Sequence, residues 1–143
     1  EKIPIFPYSV KYNSAFYGPF REAAKSTPNF GDRKTYQMNF KNSEEAINEV
    51  KLDINEGADV IIIKPAISYL DIIYRIKQKF NVPIIAYNVS GEYTMVKSAS
   101  ENNFINDIET ILEILHSIKR SGANAIISYH ALEVAKYLKA NDL

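Results

Sequence analysis

Several features are scarce or absent in this chain, and each shortage excludes a class of protein. The 143 residues include no cysteine, so the chain has no disulfide framework and no thiolate metal site of its own. Lysine and arginine number 17, as do aspartate and glutamate, and this balance removes any global attraction to nucleic acid or an anionic membrane. Uninterrupted apolar runs such as Val60–Ile63 are far shorter than the roughly 20 residues of a membrane span.

The start of the chain lacks two ordinary features. No basic segment followed by an apolar run opens the sequence, so no secretory signal is predicted. The first residue is Glu1 rather than methionine, which leads us to expect a piece of a longer protein. The hydrophobic fraction of 46% and the length of the chain are typical of one globular domain.

Short apolar, β-branched runs alternate with helical patterns along the chain. The runs predict strands at residues 3–10, 59–64, 83–89 and 124–129. Runs that are apolar on both faces are typical of a parallel sheet that is covered on both sides. Helical periodicity predicts helices at residues 43–56, 67–80, 105–121 and 131–139, the first with a capping box at Ser43. Four βα units form either an open doubly wound sheet or half of a (β/α)8 barrel, and periodicity does not distinguish these two.

Residues 12–41 do not follow this alternation. Glycine and proline interrupt the segment, tyrosine and phenylalanine are frequent in it, and at most one short helix is predicted, near residues 19–25. A long segment of this kind after a strand is typical of an active-site lid or a disordered loop. Its aromatic residues favour the lid.

Two lysines lie at the carboxyl ends of predicted strands, where parallel α/β folds concentrate their chemistry. Lys64 ends the second strand and Lys11 follows the first. Burial or a neighbouring ammonium group lowers the pKa of a lysine amine, which can then attack a ketone and form a Schiff base. The alternative is that each lysine extends from its strand into solvent, and position alone favours this alternative.

Other polar residues near the strand ends and in the lid segment have two interpretations each. Arg21 and Arg33 could bind a carboxylate or phosphate through paired guanidinium nitrogens, or could be solvated surface charges. Ser90 and Tyr129, beside the third and fourth strands, could donate hydrogen bonds to an anionic substrate or to the backbone.

Two further patterns are weak. His130 and Glu133 are one helical turn apart, but two ligands do not make a metal site, and we expect both at the surface. Aromatic and basic residues are mixed at residues 11–21 in the manner of a nucleic-acid surface. The zero net charge argues against nucleic acid as a partner.

Five blocks of the sequence together resemble the porphobilinogen synthase family, also called the δ-aminolevulinic acid dehydratases. The blocks are residues 8–21 (YSVKYNSAFYGPFR), 31–38 (GDRKTYQM), 64–66 (KPA), 69–71 (YLD) and 89–93 (VSGEY). They follow the family order, with near-family spacing, across essentially the whole chain. The resemblance implies an α/β fold of the TIM (β/α)8 barrel type. Residues 1–143 would be the C-terminal portion of this one domain, with the last four βα units and a lid at about residues 12–41.

The resemblance also implies a reaction and a set of site residues. Two molecules of 5-aminolevulinate would condense to the pyrrole porphobilinogen with loss of two waters, in haem and tetrapyrrole biosynthesis. Lys64 would form a Schiff base with the first substrate and Lys11 with the second. The residues that bind the substrate carboxylates would be Ser90 and Tyr129 for the first substrate, and Arg21, Arg33 and Gln37 for the second.

Metal ions and partners follow from the same resemblance. Glu49 matches the residue that binds an allosteric magnesium ion in many members, and one carboxylate with several waters suits Mg²⁺. The alternative is an ordinary exposed helix glutamate. The ligands of an active-site Zn²⁺ or Mg²⁺ would lie upstream of this chain, with no organic cofactor. The resemblance also implies a homo-octamer that is located in the cytoplasm or in a plastid. It implies no nucleic-acid or membrane partner.

Two other functions stay open at this point. An inactive fragment could bind aminolevulinate or only assemble with a missing N-terminal half. A Schiff-base lyase similar to a class I aldolase would use Lys64 alone, and substitution of Lys11 would distinguish it. Half a barrel exposes the apolar edges of its sheet, so we expect the chain by itself to be unstable or inactive unless a companion supplies the rest.

Overall fold

One parallel sheet organises the chain. The computed structural model describes residues 2–24 and 36–142. Within these ranges the sheet contains four strands in the order β1-β2-β3-β4, all parallel. The strands are β1 (Val10–Lys11), β2 (Ile61–Lys64), β3 (Ile84–Asn88) and β4 (Ala125–Ser128). Each strand lies beside its sequence neighbour, as in a barrel, whereas a doubly wound sheet reverses its strand order at a switch point. The topology therefore favours the barrel alternative.

Helices connect and follow the strands. They are α1 (Gly18–Ala23), α2 (Glu44–Asn55), α3 (Leu70–Lys79), α4 (Ser90–Glu101), α5 (Asp107–Ser121) and α6 (Ala131–Ala140), with short 3₁₀ turns at Ala15–Tyr17 and Ile67–Tyr69. No helix in the described ranges is long and apolar enough to cross a membrane. Four of these helices confirm the predicted ones to within a few residues.

The first strand is much shorter than predicted. Strand β1 holds two residues, although the pattern predicted residues 3–10. The residues before β1 still form hydrogen bonds with the segment at β2. The carbonyl of Ile5 accepts from Asp59 N–H at 3.0 Å, and the carbonyl of Pro7 accepts from Ile62 N–H at 2.9 Å. Proline has no N–H to donate, so Pro4 and Pro7 prevent a regular ladder.

Helix α4 was not predicted by the sequence pattern. Only Val96 among its large apolar side chains is buried, together with Ser90, Gly91 and Glu92. A helix that buries small and polar residues lacks the apolar stripe on which periodicity depends. Periodicity therefore does not indicate the helix at residues 90–101.

The cap of α2 also differs from the prediction. Ser43 precedes the helix, but its side chain makes no capping hydrogen bond. Instead, Asn42 Oδ1 accepts from the backbone N–H groups of Glu44 at 3.0 Å and Glu45 at 3.4 Å. The side chain of asparagine can satisfy the free N–H groups of a helix start as well as serine can.

The core lies between the sheet and the helices that cover one of its faces. Its fully buried members include Val10, Ile61, Ile63, Ile84, Ala86, Ile73, Ile76, Val50 and Ile118. Strand β4 departs from the expectation of burial on both faces, because Ala125 is exposed and Ile127 is 39% exposed. In the described part of the chain, β4 has a neighbouring strand on one side only.

Candidate active site

The two lysines singled out from the sequence meet at the carboxyl edge of the sheet. Lys11 ends β1, Lys64 ends β2, and the two are partners in the strand register. Register partners of neighbouring strands lie on the same face of a sheet. Both residues line one cavity of about 220 Å³. The structure therefore brings the two amines into a common site.

The same cavity also collects the predicted substrate-binding residues that the structure describes. Besides the two lysines, its lining includes Arg21, Gln37, Ser90 and Tyr129. Arg33 lies outside the described residues. A larger neighbouring cavity of about 840 Å³ shares Arg21 and Gln37 with this one.

Three tyrosine rings surround the amine of Lys64. Its Nζ atom lies 4.8 Å from the ring centre of Tyr8, 5.2 Å from that of Tyr17 and 4.7 Å from that of Tyr87. Aromatic faces attract cations at these distances. The surroundings therefore suit a positive charge on this nitrogen, and sequence reasoning did not identify the three tyrosines individually.

Burial raises the pKa of two of these three tyrosines, Tyr17 and Tyr87. Burial, together with a hydrogen bond to Tyr129, raises the pKa of Tyr87 to about 12. Burial raises the pKa of Tyr17 still further above its ordinary value, and its hydroxyl donates to the carbonyl of Lys64 at 3.2 Å. Both phenols are therefore hydrogen-bond donors at neutral pH.

Arg21 and Gln37 present buried polar atoms that lack partners within the described residues. The Nε and Nη2 atoms of Arg21 are buried, and so are both side-chain amide atoms of Gln37, which is 7% exposed. Leaving such groups without hydrogen bonds costs free energy, about 1–3 kcal/mol for a neutral group and more for a charged one. A carboxylate in the cavity would accept the hydrogen bonds of both donors.

Ser90, at the start of α4, is hydrogen-bonded to α1 and to the 3₁₀ turn that precedes α1. Its Oγ accepts from Phe20 N–H at 3.1 Å and donates to the carbonyl of Phe16 at 3.5 Å. The next residue, Gly91, allows this close approach, because a Cβ atom there would lie 2.5 Å from the carbonyl oxygen of Phe16. Tyr129 follows β4 at the rim of the cavity and is 45% exposed.

His130 is buried, and the prediction of surface placement was wrong for this residue. It is 1% exposed, its Nδ1 lies 2.5 Å from Glu133 Oε1, and its ring packs 4.6 Å from that of Tyr93. Glu133 also accepts from Lys97 Nζ at 2.6 Å. Tyr93 and Lys97 on α4 thus contact His130 and Glu133 at the start of α6, and local helical periodicity cannot reveal contacts between two helices.

Glu49 stands apart from the cavity. It lies on α2 and is exposed, and it does not line the cavity that contains the lysines. Among the described residues, no group of three or more histidine, aspartate or glutamate side chains could hold a metal ion. The side chains of this part of the chain therefore do not form a complete metal site by themselves.

Comparison with known sequences gives one family. Residues 1–137 match the family model described as delta-aminolevulinic acid dehydratase. The enzyme of that name from Bacillus subtilis is 58% identical over 136 residues, which cover 95% of this chain and 42% of the relative. The one from Synechocystis sp. is 56% identical over 139 residues, which cover 97% of this chain and 42% of the relative. The chain thus spans well under half the length of these relatives.

A solved structure gives the same result. The delta-aminolevulinic acid dehydratase (porphobilinogen synthase) of Toxoplasma gondii, crystallised with the reaction product porphobilinogen, matches with a TM-score of 0.91 and 48% identity. The match covers 94% of this chain and 38% of that one. On sequence and structure alike, the chain belongs to the delta-aminolevulinic acid dehydratase family, and its four βα units are part of a TIM barrel.

Proposed function

We propose that this chain, as the C-terminal portion of one barrel domain, is part of a porphobilinogen synthase that condenses two molecules of 5-aminolevulinate. The observation that carries the proposal is the register pairing of Lys11 and Lys64 at the wall of one cavity. Two nucleophilic amines in one site suit a reaction that joins two ketones. The product bound to the Toxoplasma gondii relative supports the same substrate class.

Lys64 would form a Schiff base with the first substrate. Its Nζ lone pair attacks the ketone carbon of aminolevulinate, a C–N bond forms, and the ketone oxygen leaves as water with two protons. The resulting imine carries a positive charge when protonated. The rings of Tyr8, Tyr17 and Tyr87 near Nζ would stabilise that charge.

Lys11 would hold the second substrate by the same chemistry. Its register pairing with Lys64 would place the two substrates side by side at the end of the sheet. Separate covalent bonds to the two lysines would give identical molecules different orientations. The two lysine-bound substrates would then react while held next to each other, and this positioning would supply a large part of the rate acceleration.

The remaining lining residues would recognise the carboxylate ends of the substrates. Ser90 and Tyr129 would bind the first carboxylate. Arg21 and Gln37, whose buried polar atoms lack partners within the described residues, would bind the second together with Arg33.

Metal ions, assembly and location complete the proposal. Glu49 would contribute one carboxylate to an allosteric Mg²⁺ site. The ligands of an active-site Zn²⁺ or Mg²⁺ would lie outside this chain, and no organic cofactor is needed. A homo-octamer in the cytoplasm or a plastid is the expected assembly and location.

The test uses the completed protein, in which this chain is joined to the part of the Bacillus subtilis relative that it does not cover. The protein is incubated with 5-aminolevulinate and borohydride, and the modified peptides are mapped by mass spectrometry. We expect adducts on Lys64 and Lys11 together with pyrrole formation, and loss of the Lys64 adduct in Lys64→Met. Lys51→Met, at an exposed position of α2, is the matched control. A folded completed protein without an adduct on either lysine would overturn the proposal.

An inactive fragment is the second candidate for the chain by itself. The rims of the cavity are open, since Tyr8 is 49% and Tyr129 is 45% exposed, and water then reaches the lysines. Adducts in the completed protein but not in the 143-residue chain would support this candidate for the isolated chain. Equal adduct formation in both would contradict it.

A further inference from the structure

The carboxylate of Glu92 joins the ends of two neighbouring strands. Glu92 lies in the first turn of α4 and is 0% exposed. Its Oε1 accepts from the backbone N–H groups of Ala66 at 3.1 Å and Ile67 at 2.7 Å, just beyond the end of β2. Its Oε2 accepts from Val89 N–H at 2.8 Å and from Asn88 Nδ2 at 3.1 Å, at the end of β3. One side chain therefore holds both strand ends together.

The contacts of Glu92 require the ionised form. All four partners are N–H donors, whereas a protonated carboxyl group would have to direct its own O–H at a donor. Burial raises the pKa of Glu92 above its ordinary value, and the hydrogen bonds oppose that rise. A carboxylate that is buried without an opposite charge nearby is costly unless hydrogen bonds compensate for the loss of water. The carboxylate thus satisfies four donors that would otherwise be buried.

The same contacts extend to the fourth strand. Asn88 Oδ1 accepts from Ser128 Oγ at 2.8 Å, and Ser128 Oγ accepts from His130 N–H at 3.1 Å. A continuous set of hydrogen bonds therefore ties the ends of β2, β3 and β4. These three ends hold Lys64, Ser90 and Tyr129, which are the residues proposed for the first substrate.

We propose that Glu92 is a positioning residue that holds Lys64 in register with Ser90 and, through Asn88, with Tyr129. This inference rests on the proposed function, because it concerns the binding of the first substrate. Glu92 is not part of the cavity lining and acts through the backbone on either side of it. Its four donors lie after β2 and at the end of β3, and none of them is on β1 with Lys11. Loss of the carboxylate should therefore affect the Lys64 site selectively.

The experiment compares Glu92→Gln with the unsubstituted completed protein. Glutamine keeps the volume but turns an NH₂ group toward two N–H donors, so half of the contacts fail. We expect borohydride trapping on Lys64 to slow on the order of tenfold or more, as for other misplacements of reacting groups, while the Lys11 adduct forms at nearly the original rate. Glu101→Gln, at the exposed last residue of the same helix, should change neither rate.

Two further variants keep the inference testable. Glu92→Asp preserves the charge on a shorter side chain and should partly restore the Lys64 rate. If Glu92→Gln does not fold, Asn88→Ala removes one contact of the carboxylate and the link to Ser128, and a smaller loss confined to Lys64 is expected. Equal losses at both lysines, or no loss, would overturn the positioning role. Failure of the unsubstituted protein to form any adduct would instead overturn the proposed function on which this role rests.

Discussion

Lys11 and Lys64 face each other in the register of β1 and β2, and both line one cavity. Their pairing depends on the βα connection that brings two distant segments to adjacent strands. Because each lysine ends its strand, both amines stand at the edge where a barrel exposes its site.

Substitution of Lys11 separates a two-lysine synthase from an aldolase-like enzyme. Lys11→Met in the completed protein should lower pyrrole formation by about 10²-fold or more, because the second substrate loses its covalent anchor. The Lys64 adduct should persist. Pyrrole assay and adduct mapping measure the two effects, and pyrrole formation at the original rate would support the aldolase alternative.

The hydroxyl of Ser90 should affect substrate binding more than turnover. A hydrogen bond to a charged group is worth about 1.5–3 kcal/mol, so Ser90→Ala should raise the KM for aminolevulinate by roughly tenfold or more, with a smaller change in kcat. Ser98→Ala, at an exposed position of the same helix, is the control. A KM equal to that of the control would remove Ser90 from the substrate site.

The close contact between Gly91 on α4 and Phe16 can be tested by comparing alanine substitutions at two glycines, Gly91 and Gly18. Gly91→Ala would place a Cβ atom 2.5 Å from the carbonyl oxygen of Phe16, whereas a Cβ atom at Gly18 meets nothing within 4 Å. We expect Gly91→Ala to destabilise the completed protein by about 1–3 kcal/mol, as overpacking does, and to raise KM. Gly18→Ala should be close to neutral. Thermal unfolding of both variants tests this, and equal midpoints would show that the close approach of Gly91 to Phe16 does not matter for stability.

The ion pairs of Lys97 should make stability depend on pH in the acid range. Lys97 Nζ lies 2.6 Å from both Asp107 and Glu133. The hydrogen bond from Lys97 lowers the pKa of Asp107, and burial of Glu133 is outweighed by its bonds to Lys97 and His130, so its pKa is lowered too. A carboxyl group whose pKa is lowered in the folded protein stabilises the fold at a pH above its ordinary pKa. This stabilisation is lost as the pH falls through the lowered, folded-state pKa.

The measurement is the difference in Tm between the completed protein and its Lys97→Met variant. The difference should be present at pH 7 and should shrink as the pH falls below about 4, near the ordinary pKa values of these carboxyl groups. A difference that stays constant down to about pH 3, below those ordinary values, would show that Lys97 acts through packing and not through its charge.

The chain by itself should associate through its exposed apolar surface. Ile5 is 55%, Phe6 47%, Ile127 39% and Leu132 69% exposed, and several of these residues flank the outer strands. Exposed apolar patches and open sheet edges promote association. Sedimentation and binding of a hydrophobic dye should reveal oligomers of the 143-residue chain and less dye binding by the completed protein. A monodisperse monomer that binds no dye would contradict this expectation.

The sequence by itself determined the βα alternation, because each strand and most helices carry local hydrophobic patterns. The apolar run Val60–Ile63 predicted β2, and Lys64 follows this run directly, so its place at the strand end was also predicted. The motifs around Lys11 and Ser90 indicated the family and the composition of the site. Periodicity and motif spacing are local properties, so they can be read without the fold.

Only the tertiary structure decided how these elements meet. It shows the sequential strand order, the tyrosine rings around Lys64, the burial of His130 and the carboxylate of Glu92 between two strand ends. Helix α4 escaped prediction because it buries polar and small residues whose partners are distant in the chain. Hydrogen bonds and ring contacts between remote segments leave no periodic trace in the sequence, since they depend on packing that exists only in the folded protein.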